Sequence, residues 1–221
     1  MDHVLRLDRV LIALDGVPLV EVDAEVGPGE VLTVMGPSGS GKSTLLAYVA
    51  GFLDPAFRAS GRISLDGEEL TGRPAERRRI GLLFQDAMLF PHLSVAGNLT
   101  FGMPRSLDHR LERARAALSD VGLGGYEDRD PATLSGGQKA RVALLRLLLS
   151  EPRAVLLDEP FSKLDAALRA EVRELVFGRL REAGLPTLLV THDEADVPAA
   201  HATIVHLGPN GAVGPRRPRT A

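Results

Sequence analysis

The residues best suited to chemistry form one stretch near the start of the chain, Gly36-Pro37-Ser38-Gly39-Ser40-Gly41-Lys42-Ser43-Thr44. This stretch fits the phosphate-loop pattern G-x-x-x-x-G-K-[ST], whose glycines let successive backbone N–H groups point at a phosphate chain. Lys42 would bring a full charge to the outer phosphates, and the Ser43 hydroxyl is a natural ligand for the accompanying Mg²⁺. The apolar run 31–35 predicts a buried strand before the loop, and the run 45–50 predicts a buried helix after it. Because that is the required context, we favour a phosphate site over a glycine-rich turn that binds nothing.

Two adjacent carboxylates end a second apolar strand. Residues 154–157 are continuously apolar, and Asp158 and Glu159 follow directly. Successive strand side chains point in opposite directions, so the two acids can divide the work. Asp158 can hold Mg²⁺ through water, while Glu159 can orient and polarise the attacking water. Two unrelated surface acids are the alternative.

Two further polar residues follow apolar strands. Gln85 comes after the run 80–84, and His192 comes after the run 187–190. Ligands bind outside the carboxyl ends of strands in open α/β sheets. We therefore predict that Gln85 belongs to the same site and that His192 contacts the γ-phosphate.

The segment Leu134-Ser135-Gly136-Gly137-Gln138 stands immediately before a strongly apolar helix, predicted over 139–150. Ser135 is placed to cap that helix, and the glycines leave its first N–H groups uncovered. This segment predicts either a second anion-binding helix start or a simple N-cap, and the motif alone does not decide between them.

The other segments supply the elements that must position these residues. The first thirty residues predict short antiparallel strands, and Asp66-Gly67 predicts a hairpin of the same side sheet. An amphipathic helix is predicted over 107–121, with Leu111, Ala114, Leu118 and Val121 on one face. We also expect Arg77–Arg79 to form a solvated helix face, a helix over 166–183 and a last strand at 203–207.

Composition limits the possible classes of protein. The chain has 221 residues, of which 44% are hydrophobic and 25% charged, with a net charge of −3. No apolar run approaches the ~18 residues of a membrane span, no signal peptide is visible, and the absence of cysteine excludes disulfides. The mild acidity argues against a nucleic-acid partner, although residues 208–221 form a basic tail that we predict to be disordered. A cytosolic protein is the simplest fit.

Taken in order, these motifs resemble those of the ATP-binding subunit of an ABC transporter. The resemblance extends to about residue 207 and includes Ser162 to Asp165; the 134–138 segment is that family's own signature. Phe84-Gln85, the segment 89–92, Val95, Asn98 and Leu99 are similar to the importer branch, and to its small YnjD-type and thiamine-type ATPases. The resemblance implies an α/β fold of the P-loop NTPase class with a mostly parallel core sheet, an antiparallel β side sheet and an α-helical sub-domain. Residues 1–207 would then be a single domain with the sub-domain at about 86–150.

The resemblance also implies what each motif does. Two copies of the chain would sandwich two ATP molecules, each lying on Lys42 and Ser43 of one copy. The facing contacts in trans would come from Ser135, Gly136, Gly137, Gln138 and Asp165 of the other copy. Glu159 would be the catalytic base, His192 would clamp the γ-phosphate, and Gln85 would sense Mg²⁺ and the attacking water.

Partners and location follow from the same resemblance. A membrane permease would dock on Ala87–Phe101, a solute-binding protein would belong to the system, and the chain would lie peripherally on the cytoplasmic face of the inner membrane. The family usually stacks an aromatic ring on adenine near Ala13 or Leu14, and this chain has no aromatic residue before Tyr48. The rival interpretations are a soluble ABC ATPase of the translation or DNA-repair type, a phosphate-loop kinase and a non-hydrolysing binding module.

Overall fold

Two sheets and five α-helices make up the described part of this computed structural model, which covers residues 3–208 and 217–218. The strands are β1 (Leu5–Leu14), β2 (Val17–Val26), β3 (Val31–Met35), β4 (Phe57–Leu65), β5 (Glu68–Glu69), β6 (Ile80–Leu83), β7 (Ala154–Asp158), β8 (Thr187–Thr191), β9 (Ala202–His206) and β10 (Arg217–Pro218). The α-helices are α1 (Lys42–Ala50), α2 (Val95–Gly102), α3 (Arg110–Asp120), α4 (Gly136–Leu148) and α5 (Ala166–Glu182).

The chain forms two compact units. The first contains Met1–Leu82, Arg153–Glu159 and Phe177–Ala221, and the second contains Leu83–Pro152 and Pro160–Val176. The helical sub-domain predicted at about 86–150 lies inside the second unit, which also includes a later segment that the sequence did not indicate. Most of the predicted tail 208–221 lies outside the described residues, whereas Arg217–Pro218 pairs with β9 as a short antiparallel strand.

The predicted sheet of antiparallel strands is present, in the order β2-β1-β4-β5. Leu5 pairs with Val26 and with Leu65, so β1 is the centre of this sheet and its alternate side chains are buried. Period-two alternation with one buried face is typical of such strands. Gly61 is required where β4 passes β1, because a Cβ there would lie 2.3 Å from the Arg9 carbonyl oxygen.

The second sheet has the order β10-β9-β3-β8-β7-β6 and brings the predicted strand ends together. β3 pairs in parallel with β8 and with β9, and β7 pairs in parallel with β8. Strands β3 and β8 are buried along their whole length, which explains why they appear in the sequence as largely apolar runs. Parallel pairing places the carboxyl ends of β3, β7 and β8 at one edge, where the phosphate loop, Glu159 and His192 follow.

The second unit is built on an apolar cluster of helices α2, α3 and α4, which includes Leu99, Leu118 and Val142. Helix α2 was not predicted. The prediction that Leu111 lies on the buried face of α3 was wrong, since 43% of its surface is exposed. His109 turns the chain before α3 with a positive φ of 54°, and Leu107 packs against the cluster from this preceding segment.

The prediction of a solvated arginine run was wrong for Arg78, which is only 4% exposed. Its guanidinium donates to the carbonyl oxygens of Tyr48 and Val49 at 2.8 Å and to that of Arg73, also at 2.8 Å. Helix C-termini leave carbonyl groups without intrahelical partners, and Arg78 satisfies those at the end of α1. Burial lowers the pKa of this guanidinium.

Substituting Arg78→Met is expected to lower the free energy of unfolding by about 3 kcal/mol, because buried carbonyls lose charge-assisted donors. Chemical denaturation monitored by circular dichroism measures this loss. Arg77→Met is the matched control, since Arg77 is exposed, and it should leave stability nearly unchanged. Equal effects of the two substitutions would contradict the capping role of Arg78.

Candidate functional site

The phosphate loop joins the buried end of β3 to the first turn of α1. Gly39 and Gly41 have positive φ values of 81° and 89°, a conformation that glycine adopts without steric cost. Gly41 must also lack a side chain, because a Cβ would lie 2.5 Å from the Val20 side chain. Gly41 is the N-cap residue of α1, and no side chain caps the helix. The first N–H groups of α1 therefore carry no side-chain hydrogen bond. Such a helix start binds anions.

Lys42 is buried in this loop, with 6% of its surface exposed. Its Nζ donates to the carbonyl oxygens of Gly36 at 2.8 Å and of Pro37 at 2.9 Å. Gly36 cannot carry a side chain, because a Cβ would lie 2.8 Å from the carbonyl oxygen of Leu207. The Lys42 ammonium group thus lies against the backbone of the loop that the sequence predicts to bind phosphates.

Ser43 and Asp158, which the sequence predicts to hold Mg²⁺, lie within hydrogen-bond distance of each other. The Ser43 hydroxyl donates to Asp158 Oδ1 at 3.3 Å. Burial raises the pKa of Asp158, and the charge of Glu159 adds to that rise, while the Ser43 hydrogen bond and Lys42 partly offset it. A cation beside this carboxylate would favour its charged form, so the donor set fits Mg²⁺. Among the described residues no cluster of three or more metal-ligating acids or histidines occurs, so phosphates and water would complete the coordination.

Glu159 and His192 meet at the ends of neighbouring strands. Glu159 Oε1 lies 3.1 Å from His192 Nδ1. The Glu159 backbone N–H donates to the Val190 carbonyl at 3.0 Å, which continues the pairing with β8, while its φ of 45° turns the chain away. A positive φ is uncommon for a residue with a side chain and often marks a functional position.

A buried pair of side chains lies beside His192 and was not predicted from the sequence. The Thr191 hydroxyl donates to Asp196 Oδ2 at 2.8 Å, and both residues are buried. Thr191 precedes the histidine, and Asp196 ends a short 3₁₀ turn, Glu194–Asp196. The only available signal was an acidic residue close after a strand end, which is too common to single out.

The other predicted residues lie in the second unit. Ser135 and Gln138 form a capping box: Ser135 Oγ accepts from the Gln138 N–H at 3.3 Å, and Gln138 Oε1 accepts from the Ser135 N–H at 2.9 Å. The prediction that Ser135 caps α4 is therefore confirmed, and the Ser135 hydroxyl keeps its own hydrogen for another acceptor. Gly137 must be small, because a Cβ would lie 2.6 Å from the Leu168 side chain.

Gln85 and Gly136 line one cleft of about 110 Å³, together with Leu83, Phe84, Asp86, Ala87, Lys139, Ala140, Ala143, Pro160, Lys163 and Leu164. Gln85 is exposed, as a residue that contacts a ligand can be. Lys163 forms an ion pair with Asp86 at the same cleft. Asp165 caps α5, because its Oδ1 accepts from the Leu168 N–H at 3.1 Å.

No aromatic side chain stands at the turn between β1 and β2, as the sequence indicated. Leu14 and Val17 are exposed there, Val17 by 64%. A Cβ on Gly41 of the phosphate loop would meet the side chains of Leu19 and Val20, further along β2. The side chains of β2 next to the loop are therefore aliphatic.

Comparison with known proteins identifies this arrangement. A family model described as ABC transporter matches residues 19–162, which is more than half of the chain. The chain belongs to the ABC transporter family. Proteins of this family bind ATP and hydrolyse it to drive transport, so the nucleotide of the phosphate loop is ATP and the chain is an ATPase.

Individual members of the ABC transporter family are similar to this chain along most of its length. The chain is 48% identical over 183 residues to the uncharacterized ABC transporter ATP-binding protein YnjD of Escherichia coli, covering 82% of this chain and 84% of that one. It is 46% identical over 206 residues to the Fe(3+) ions import ATP-binding protein FbpC of Mesorhizobium japonicum, covering 90% of this chain but 56% of the relative. It is 40% identical over 212 residues to the taurine import ATP-binding protein TauB of Pseudomonas fluorescens, covering 93% and 78%.

A solved ABC transporter structure has the same fold. CbiO1 from Clostridium perfringens, part of the ABC transporter complex cbiONQ, superimposes with a TM-score of 0.83 at 30% identity. The alignment covers 98% of this chain and 88% of CbiO1. The predicted P-loop NTPase fold is therefore confirmed. Within residues 3–208 and 217–218, no helix is both long and apolar enough to cross a bilayer.

Proposed function

We propose that this ATPase energises the import of a small solute by pairing with a second copy of itself and driving an integral membrane permease. The observation that carries the proposal is the 3.1 Å contact between Glu159 and His192 at the sheet edge that also holds the phosphate loop. The iron and taurine relatives are import proteins, which supports import over a translation or DNA-repair role.

At the phosphate loop, Lys42 and the N–H groups at the start of α1 would neutralise the phosphates. Ser43 and Asp158 would hold Mg²⁺, which would neutralise part of the phosphate charge. The rest of the stretch, Gly36, Pro37, Ser38, Gly39, Ser40, Gly41 and Thr44, would form the walls of the ATP site. Aliphatic contacts from Leu14 and Val17 would replace the ring stacking that these residues cannot supply.

Glu159 would accept a proton from the attacking water and His192 would contact the γ-phosphate. The short distance between them lets the imidazole also orient the carboxylate, as a base needs an oriented partner. Gln85 would sense Mg²⁺ and the attacking water.

The second copy would contribute the start of α4 to this ATP. The capping box fixes Ser135 and Gln138 while leaving the Ser135 hydroxyl hydrogen available to a phosphate oxygen. Gly136, Gly137 and Asp165 would complete the contact in trans. Opposite faces of one triphosphate need neutralising, and a helix start on each side meets that need.

A permease would dock on the Ala87–Phe101 surface, which is both apolar and well supported. Met88 is 62% exposed and Phe101 is 65% exposed. The Phe90 and Phe101 rings lie 4.6 Å apart, and the Arg146 guanidinium lies 5.2 Å from the Phe90 ring. Exposed apolar groups on a supported surface are typical of protein interfaces.

Hydrogen bonds hold the backbone of this surface. Buried Asn98 accepts from the Phe90 N–H at 2.7 Å and donates to the Phe90 carbonyl at 3.1 Å. Arg146 donates to the carbonyl oxygens of Met88 at 2.9 Å and of Ala87 at 3.2 Å. A permease segment would therefore meet a preorganised surface, and the chain would lie peripherally on the cytoplasmic face of the membrane with a solute-binding protein on the other side.

Reconstitution in liposomes tests the proposal. With MgATP and its cognate permease, the chain should hydrolyse ATP faster than alone, and Met88→Ser should reduce that stimulation by about tenfold. Leu111→Ser is the matched control, because Leu111 is also an exposed aliphatic residue of the second unit but lies on α3. Equal stimulation of the Met88 variant would contradict the docking surface, and a chain that stays monomeric and inert would contradict the function.

A further inference from the structure

The segment after β8 contains a buried carboxylate that the proposed reaction does not use. Asp196 is 1% exposed, and its Oδ2 accepts from the Thr191 hydroxyl at 2.8 Å. Burying a carboxylate is costly unless hydrogen bonds stabilise it. The fold places this group five residues along the chain from Thr191, with His192 between them.

We propose that Thr191 and Asp196 position the His192 imidazole for ATP hydrolysis. This inference rests on the proposed function, in which His192 contacts the γ-phosphate. Neither residue would touch ATP, so both would be positioning residues that act through His192.

The hydrogen bonds show how the position is set. Thr191 Oγ1 donates to Asp196 and accepts from the Asp193 N–H at 3.1 Å, so one hydroxyl joins both sides of His192. The Asp193 side chain accepts from the Ala195 N–H at 2.9 Å, and the Asp196 N–H donates to the Asp193 carbonyl at 3.1 Å. The backbone around His192 is thus closed into a small ring of hydrogen bonds that begins and ends at Asp196.

The position of His192 depends on this ring of hydrogen bonds, because its side chain is about half exposed and surrounding side chains only partly enclose it. Its Nδ1 faces Glu159 Oε1 at 3.1 Å, and that contact needs the backbone of residue 192 in one place. Displacements of about 1 Å in a catalytic group can cost ~10²-fold in rate. Loss of the Thr191 hydroxyl should therefore act on turnover rather than on ATP binding.

The test compares Thr191→Val with Thr191→Ser in the full chain. Thr191→Val removes the hydroxyl at nearly constant volume and is expected to lower kcat by about tenfold, with KM for ATP changed less than about twofold. Thr191→Ser keeps the hydroxyl and should restore most of kcat. Thr187→Val is the matched control, because Thr187 is a buried threonine at the other end of β8 whose hydroxyl donates to the Leu185 carbonyl. It should not lower kcat.

A double-mutant cycle separates positioning from a general loss of structure. In a His192→Ala background, Thr191→Val should cause no further loss of kcat, since the group it positions is absent. An equal loss in both backgrounds, or a Thr191→Val chain with full kcat, would overturn the inference while leaving the ATPase role intact. A wild-type chain without ATP hydrolysis would refute the proposed function, and the inference with it.

If Thr191→Val does not fold, Thr191→Val with Asp196→Leu replaces both hydrogen-bonded side chains by apolar groups. That chain should fold and show the same fall in kcat. A folded double variant with wild-type kcat would overturn the inference.

Discussion

Glu159→Gln is expected to bind ATP with nearly unchanged affinity and to lose turnover by roughly 10²- to 10⁴-fold. The amide keeps the size of the carboxylate and can still face His192 Nδ1, so the geometry at 3.1 Å should survive. It cannot accept a proton from water, so the chemical step should stop. ATP would then stay bound, and the chain should accumulate as a dimer, which size-exclusion chromatography with light scattering detects.

Glu151→Gln is the matched control for this substitution. Glu151 is also a glutamate with a positive φ, 52° against 45° for Glu159, but it lies in the second unit outside the proposed site. It should keep normal phosphate release. Near-normal turnover of Glu159→Gln would overturn its role as the base, whereas an inactive chain that binds ATP and stays monomeric would contradict only the pairing of two copies.

Local sequence predicted the parts of the fold that local forces determine. Strand β3 is a buried run that is apolar except for Thr33 and is followed by Gly36, and β7 is an apolar run that ends at Asp158 and is followed by Glu159. Parallel strands buried on both faces have this signature, and their carboxyl ends share one edge. The site at that edge could therefore be predicted before its contacts were known.

Contacts between distant segments could not be predicted in this way. Arg78 belongs to a charged run that resembles a solvated surface, yet its guanidinium reaches helix α1, 29 residues or more earlier. Leu111 fits the buried period of α3, but Leu107 from the preceding segment packs against the cluster. In both cases tertiary packing overrides the local pattern.

The candidate site shows the same division. Ser135 was predicted as a cap because a hydroxyl before a helix is a strong local signal, and the reciprocal bond from Gln138 completes a known motif. The hydrogen bond between Thr191 and Asp196 does not follow from the periodicity of a helix or a strand. It depends on the turn after β8, which brings the Asp196 carboxylate back to the last residue of that strand. Sequence could name His192 but not what holds it.

Lys42→Ala is expected to abolish measurable ATP binding or weaken it by at least about 100-fold, because a charge-assisted contact with the phosphates is lost in a buried site. Isothermal titration calorimetry with MgATP measures the change. The ammonium group also donates to Gly36 and Pro37, so its loss should loosen the loop that presents the N–H groups. Both effects should weaken ATP binding.

Lys139→Ala controls for the loss of a positive charge. Lys139 is partly buried, but it lies in α4, outside the stretch 36–44 that forms the phosphate loop. A single chain should therefore bind ATP equally well without it. Thermal unfolding of Lys42→Ala should show a folded chain, because the loop is at the sheet edge and the core cluster does not include this side chain. Unchanged ATP affinity in a folded Lys42→Ala chain would mean that the phosphates bind elsewhere.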